Sequence, residues 1–191
     1  EEDQTLPSLP IFLDSPMAIK ALAVYKRYPE YFDAEALQKY RCAEADFLHF
    51  SSLTLTPTVE ESKKINHIPG PKMIIAGSGM MTGGRIMHHA IRYLSDPNST
   101  VVFMGYQAEG TLGRRLYEGT DHVYIHGQRV EVRAKIRAIG ALSGHADQQK
   151  LLSWIKGAKR LPKTIFCVHG EDHAATELAH RLRDEGCSQV I

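Results

Sequence analysis

Two runs of the chain, Lys72-Met-Ile-Ile-Ala76 and Thr100-Val-Val-Phe-Met104, are nearly all apolar, and each empties into a glycine-containing turn. Apolar residues at helical spacing follow: Ile86, Ala90, Ile91 and Leu94 after the first turn, Leu112 and Leu116 after the second. A short strand without a polar side has to be covered on both faces, and here the next segment along the chain is a helix. Repetition of that unit predicts an α/β fold, a mostly parallel sheet with helices on both faces. Pro10-Ile-Phe-Leu-Asp14 starts the same way, with Ser15-Pro16 as the turn and Ala18, Leu22 and Tyr25 at helical spacing. Proline suits a first helical turn because its missing amide hydrogen costs nothing there.

A second helix is expected over 34–43 and a strand over Phe47–Phe50, before a polar loop. Thr58-x-x-Glu61 after Pro57 is a capping box that opens a short helix ending near His67. From His122 the pattern changes. His122-Val-Tyr-Ile and a His126-Gly127-Gln128 turn lead into Val130 to Ile139, where apolar and polar residues alternate with a period of two. That alternation predicts an antiparallel strand with one face in water. A Gly144–His145 loop, a helix from Asp147, a strand from Lys163 to Val168 and a helix stopped at Gly186 complete the chain. The seam is expected near Ile139, giving residues 1–138 and a small β/α segment, 139–191.

Of the 191 residues, 43% are hydrophobic, ample for a buried core. The 23 lysines and arginines against 22 acids leave a net charge of +1, so any attraction for phosphate must be local. Cys42, Cys167 and Cys187 show neither C-x-x-C spacing nor an even count, which argues against a disulfide framework and a thiolate zinc site and favours a cytoplasmic setting. No apolar run is long enough for a membrane span. The start at Glu1-Glu2-Asp3, without methionine, is expected to be a truncation.

Histidines stand at two places where a strand gives way to a loop or helix, in Gly140-Ala-Leu-Ser-Gly144-His145-Ala-Asp147 and in Phe166-Cys-Val-His169-Gly-Glu171. An imidazole there points into the crevice where open α/β sheets bind ligands, and it can hold a metal or pass a proton. Taken singly, each would more often be structural; taken together they favour a shared site. His169 and His173 are four apart, but Gly170 separates strand end from helix, so a helical metal pair is rejected. His88 and His89 are adjacent on a helix and cannot face one ion together. His49, His67, His122, His126 and His180 carry no partner pattern.

Gly77-Ser-Gly-Met-Met-Thr-Gly-Gly84 links a strand to a helix, a place where outward amides and the helix dipole favour an anion. The alternative is turn geometry alone, since neither the P-loop nor the dinucleotide glycine spacing is present. An exposed helix terminus is worth about 0.3–1 kcal/mol to an anion, enough to position a phosphate and not to cleave it. Ser78, Gly79 and Thr82 are the expected contacts. The Gly105–Arg115 turn adds Arg114 as a further phosphate ligand, whose planar fork suits the task, although Arg114 and Arg115 equally suit a solvated helix face. Arg133, Lys135 and Arg137 alternate as a basic stripe that a polyanion could follow, or as a solvated sheet face.

Five ordered motifs then resemble the metallo-β-lactamase proteins with a β-CASP insertion, a family that includes bacterial and archaeal ribonucleases and the eukaryotic pre-mRNA 3′-end endonuclease. They are Phe12-Leu-Asp-Ser-Pro-Met-Ala18, Ala76-Gly-Ser-Gly-Met-Met-Thr-Gly-Gly-Arg85, Gly105-Tyr-Gln-Ala-Glu-Gly-Thr-Leu112, Ser143-Gly-His-Ala146 and Val168-His-Gly-Glu171. The resemblance implies that residues 1–138 are most of a β-CASP domain, its amino-terminal edge missing, and that 139–191 belong to an incomplete metallo-β-lactamase domain. It implies zinc-dependent hydrolysis of RNA, internal or from the 5′ end. His145 is then the catalytic group beside the scissile phosphate and His169 a zinc ligand. Histidine rather than valine at the latter resembles the RNA-acting branch.

Nothing in the chain reads H-x-H-x-D-H, the family's main ligand cluster, and Asp14 lies in a motif that matches a later structural strand, so it is not given the acidic role. Catalytic zinc usually takes about three protein ligands. The resemblance therefore implies two zinc ions in the intact protein, none held by this chain alone, and an amino-terminal metallo-β-lactamase half as partner beside RNA. A homodimer stays open and no membrane partner is expected. Two alternatives also stay open: an inactive RNA-binding or scaffold relative, and a phosphate-binding small-molecule enzyme.

Overall fold

The structure, a computed structural model, describes residues 9–42, 51–140 and 144–191. The chain divides into two compact units, Glu1–Gly140 and Ala141–Ile191. The first opens with β1 (Ile11–Leu13) and α1 (Pro16–Arg27), whose cap is Ser15 accepting from the Ala18 amide, with proline in the first turn as expected. After α2 (Ala34–Cys42) comes β2 (Leu53–Leu55), a strand in a stretch expected to be a polar loop. Three residues are too few to display a period, so pairing with β1 and not pattern makes it a strand. The strand expected at Phe47–Phe50, with His49, lies outside the described residues.

The capping box at Thr58 and Glu61 forms as expected and opens α3 (Val59–Lys64), which tightens into a 3₁₀ turn over Ile65–His67. Then follow β3 (Met73–Ile75), α4 (Arg85–Tyr93), β4 (Thr100–Phe103) and α5 (Leu112–Tyr117). β1 lies between β2 and β3, parallel to both, with Phe12 opposite Thr54 and Ile74. This is the α/β class expected, built from parallel strands and helices.

β5 (His122–Ile125) and β6 (Gln128–Glu131) form an antiparallel hairpin. The period-two run after Val130 does not stay in that hairpin. At Arg133 and Ala134 both amides donate to the Leu94 carbonyl, and the chain enters β7 (Lys135–Ala138), which pairs parallel with β4. The expected single antiparallel strand is thus two strands with different partners, because alternation reports which face is covered and not which way the neighbour runs.

The core of this unit is Met81, Met87, Ala90, Leu94, Phe103, Leu116, Val123, Ile125, Val130 and Ala134. Leu94, Leu116 and Val123 are wholly inaccessible. Each such side chain contributes about 1.5–3 kcal/mol by leaving water.

In the second unit, α6 (Gln148–Lys156) is capped by Asp147, whose carboxylate accepts from the Lys150 amide at 2.7 Å. α7 (Asp172–Asp184) begins after Glu171, as expected. The strand expected from Lys163 to Val168 reduces to one parallel bridge, Ile165 to Val190, supported by hydrogen bonds to Gln189 and Ile191. Ala179, Leu182, Cys187 and Val190 form a small core here. No helix among the described residues is long and apolar enough to cross a membrane.

Candidate functional site

Three strand-to-helix turns of the first unit meet at one place. The Asp14 amide donates to the Ile75 carbonyl at 2.8 Å, and a Cβ on Gly77 would lie 3.3 Å from Ser15 Oγ, so the first and second motifs touch. Gln107 Nε2 donates to the Gly79 carbonyl at 3.0 Å and the Gly113 amide to the Met80 carbonyl at 3.1 Å, which brings in the third. Segments 28 to 62 residues apart thus meet at the carboxyl ends of β1, β3 and β4, and strand carboxyl ends are where open α/β sheets bind ligands.

Met81 anchors the glycine-rich turn. Its side chain is 2% exposed within the core and its φ is +54°. Gly84, at φ +75°, is required where it stands, because a Cβ there would come 3.0 Å from the Gly77 carbonyl oxygen. The Ser78 and Thr82 hydroxyls are 3.0 Å apart and Gly79 has open space above it. These three residues therefore form one polar lip. The start of α4 is already partly satisfied: the Ile86 amide donates to the Gly77 carbonyl and Met87 to Gly84. Arg114 is committed as well, its Nε donating to Glu118 at 2.6 Å and a guanidinium nitrogen to the Gln107 carbonyl at 3.3 Å. Arg115 beside it is exposed.

Beneath this lip lies a buried polar cluster that the sequence reading missed. The Asp14 side chain is wholly inaccessible, and its two oxygens accept four hydrogen bonds. Thr56 Oγ1 and Arg85 donate to Oδ1, each at 2.7 Å. Ser62 Oγ at 2.7 Å and His89 Nε2 at 2.6 Å serve Oδ2. That fills the lone-pair capacity of a carboxylate. Arg85 also donates to the Thr56 and Pro57 carbonyls. Burial raises the Asp14 pKa, but the hydrogen bonds from Ser62, His89, Thr56 and Arg85 outweigh it and hold the carboxyl below its ordinary value. Asp14 is therefore closed to a metal or a substrate. It ties β1, β2, α3 and α4 together under the turn. A signal was present in the sequence: Arg85 and His89 are four apart, on one face of a helix.

In the second unit, Gly144 and His145 are exposed just before the Asp147 cap, whereas Ser143 lies outside the described residues. His169 is exposed at the end of the bridged segment, with φ +66°, and His173 sits on α7. His169 lines a groove of about 460 Å³ with Cys167, Gln148, Trp154 and the apolar side of α7, and His145 is not among its lining residues. Among the described residues no three histidine, cysteine or carboxylate side chains converge in a way that could hold a metal. One imidazole at His169 is short of the three ligands a catalytic zinc takes, so the described residues do not by themselves fit that ion.

Comparison with known proteins covers both units. A family model for the Beta-Casp domain matches residues 1–116, and one for a Zn-dependent metallo-hydrolase RNA specificity domain matches 129–191. Ribonuclease TTHA0252 of Thermus thermophilus is 40% identical over 181 residues, covering 95% of this chain and 41% of that protein. Transcription termination factor FttA of Methanosarcina mazei is 32% identical over 181 residues, and that of Methanocaldococcus jannaschii 30% over 187. These matches cover 91% and 95% of this chain and 28% and 29% of the two factors. The chain thus spans less than half the length of these relatives. With three of the five ordered motifs meeting at the carboxyl ends of β1, β3 and β4 in the first unit and a family model over residues 1–116, the protein belongs to the β-CASP metallo-β-lactamase family of RNA-processing proteins.

Proposed function

We propose that this chain serves a zinc-dependent ribonuclease that hydrolyses RNA phosphodiester bonds, with residues 1–138 as the β-CASP clamp and 139–191 as the returning part of the metallo-β-lactamase half. The observation that carries this reading is the 40% identity to a ribonuclease across both units. In it, Ser78, Gly79 and Thr82 position a backbone phosphate at the lip where three motifs meet. Arg114, pinned by Glu118, adds positive charge behind it and holds the Gln107 loop. His145 sits beside the scissile phosphate and gives a proton to the leaving oxygen. His169 supplies one imidazole to zinc, which would provide the activated water, and the remaining ligands come from polypeptide outside this chain. The chain alone is inactive in this reading.

The archaeal relatives named as termination factors support a second reading, in which RNA is bound during termination. Both are tested in the intact protein by alanine at His145 and at His169, with cleavage of end-labelled RNA and zinc content measured together. Loss of cleavage in both, with zinc lowered only by His169→Ala, supports the nuclease. RNA binding without cleavage in the unaltered protein supports the binding role.

A further inference from the structure

His88 and His126, which nothing in the nuclease reading employs, stand side by side. His88 is exposed on α4 and His126 is exposed at the tip of the β5–β6 hairpin, yet their ring centres are 5.5 Å apart with planes inclined by 33°. Adjacent imidazoles along one helix cannot share an ion, but these two come from different elements. A zinc–nitrogen bond of about 2.0–2.1 Å at a tetrahedral angle puts two ligating ring centres about 5 Å apart, close to what is seen. Among the described residues neither ring has a hydrogen bond or ion pair. No partner would have to be displaced.

The pair is also held in place from below. Met87, beside His88, and Ile125, beside His126, belong to the same buried core, so α4 and the hairpin are fixed against each other. The hairpin turn has two residues, His126 at φ +50° and Gly127 at φ +79°, closing Ile125 onto Gln128. Two positive φ values mark a turn that normally takes asparagine, aspartate or glycine at its first position. Histidine is not one of these. Its imidazole lands on His88.

We propose that His88 and His126 form a two-imidazole site for a late first-row divalent cation such as Zn²⁺, which would join α4 to the β5–β6 turn. Water completes the coordination, and the site is independent of His169.

The test is a zinc chloride titration of the 191-residue chain, followed by histidine side-chain ¹H–¹⁵N correlations. The His88 and His126 ring nitrogens should shift together. Either His88→Gln or His126→Asn alone should abolish the shift at the remaining partner, while His169→Ala leaves it. Both variants suit their backbone, glutamine in a helix and asparagine at a positive φ, and circular dichroism checks that they fold. Unmoved ring resonances on zinc addition, or a shift that survives either single variant, overturns the proposal.

Discussion

At Asp14 a charge is stable inside the protein only because four donors surround it, and each comes from a distant part of the chain. Replacement by asparagine keeps the shape but leaves Arg85 without its counter-charge, and breaking such a buried pair costs about 3–5 kcal/mol. Asp14→Asn should therefore lower the stability measured by urea unfolding at neutral pH. Since the folded-state pKa lies below the ordinary value, the carboxylate stabilises the fold above about pH 4, and that contribution is lost as pH falls through the depressed value. The gap between wild type and variant should narrow over that acidic range. A gap absent at pH 7, or one that widens on acidification, contradicts the role. At this scale the Thr58–Glu61 capping box and the helix start at Asp147 were legible in the sequence, and Ser15, read there only as part of a turn, caps α1 as well. Asp14 was not, because Thr56, Ser62, Arg85 and His89 are 42 to 75 residues away and no local pattern records such distances.

Among the elements, α5 has a closely packed entry. A methyl group on Gly113 would sit 1.8 Å from Gln107 Oε1 and 3.1 Å from the Met80 carbonyl oxygen, so Gln107 would have to leave its bond to Gly79. Alanine normally gains about 1 kcal/mol over glycine within a helix. Here overpacking, about 1–3 kcal/mol, should outweigh it. Gly113→Ala should lower the denaturation midpoint, and an unchanged or raised midpoint would show that the junction is loose. Helix positions and strand-to-helix turns were readable from apolar spacing and caps. Strand partners were not: β7 carries the alternation of a half-covered strand yet joins β4 in parallel, and β2 is too short to carry a pattern. Burial leaves a periodic trace in a sequence, whereas pairing direction leaves none.

For the whole molecule, the five motifs were legible in their order along the chain, and three of them converge in the first unit. What the sequence could not display is which donors would complete the coordination proposed for His169. In the proposed reading, a net charge of +1 leaves RNA to be held by local groups, namely the lip at Ser78–Thr82 and the exposed Arg133, Lys135 and Arg137, which make no ion pair among the described residues. Affinity for single-stranded RNA should accordingly fall linearly on a logarithmic salt scale, by roughly 0.7 for each phosphate neutralised. Replacing Lys135 and Arg137 by glutamine should flatten that slope. A slope near zero would favour a small phosphate ligand instead. The central claim is a divided active centre, and zinc content and RNA cleavage in the intact His145→Ala and His169→Ala proteins test it most directly. Both variants should lose cleavage and only His169→Ala should lose zinc; retained cleavage in either, or equal zinc loss in both, contradicts the assignment.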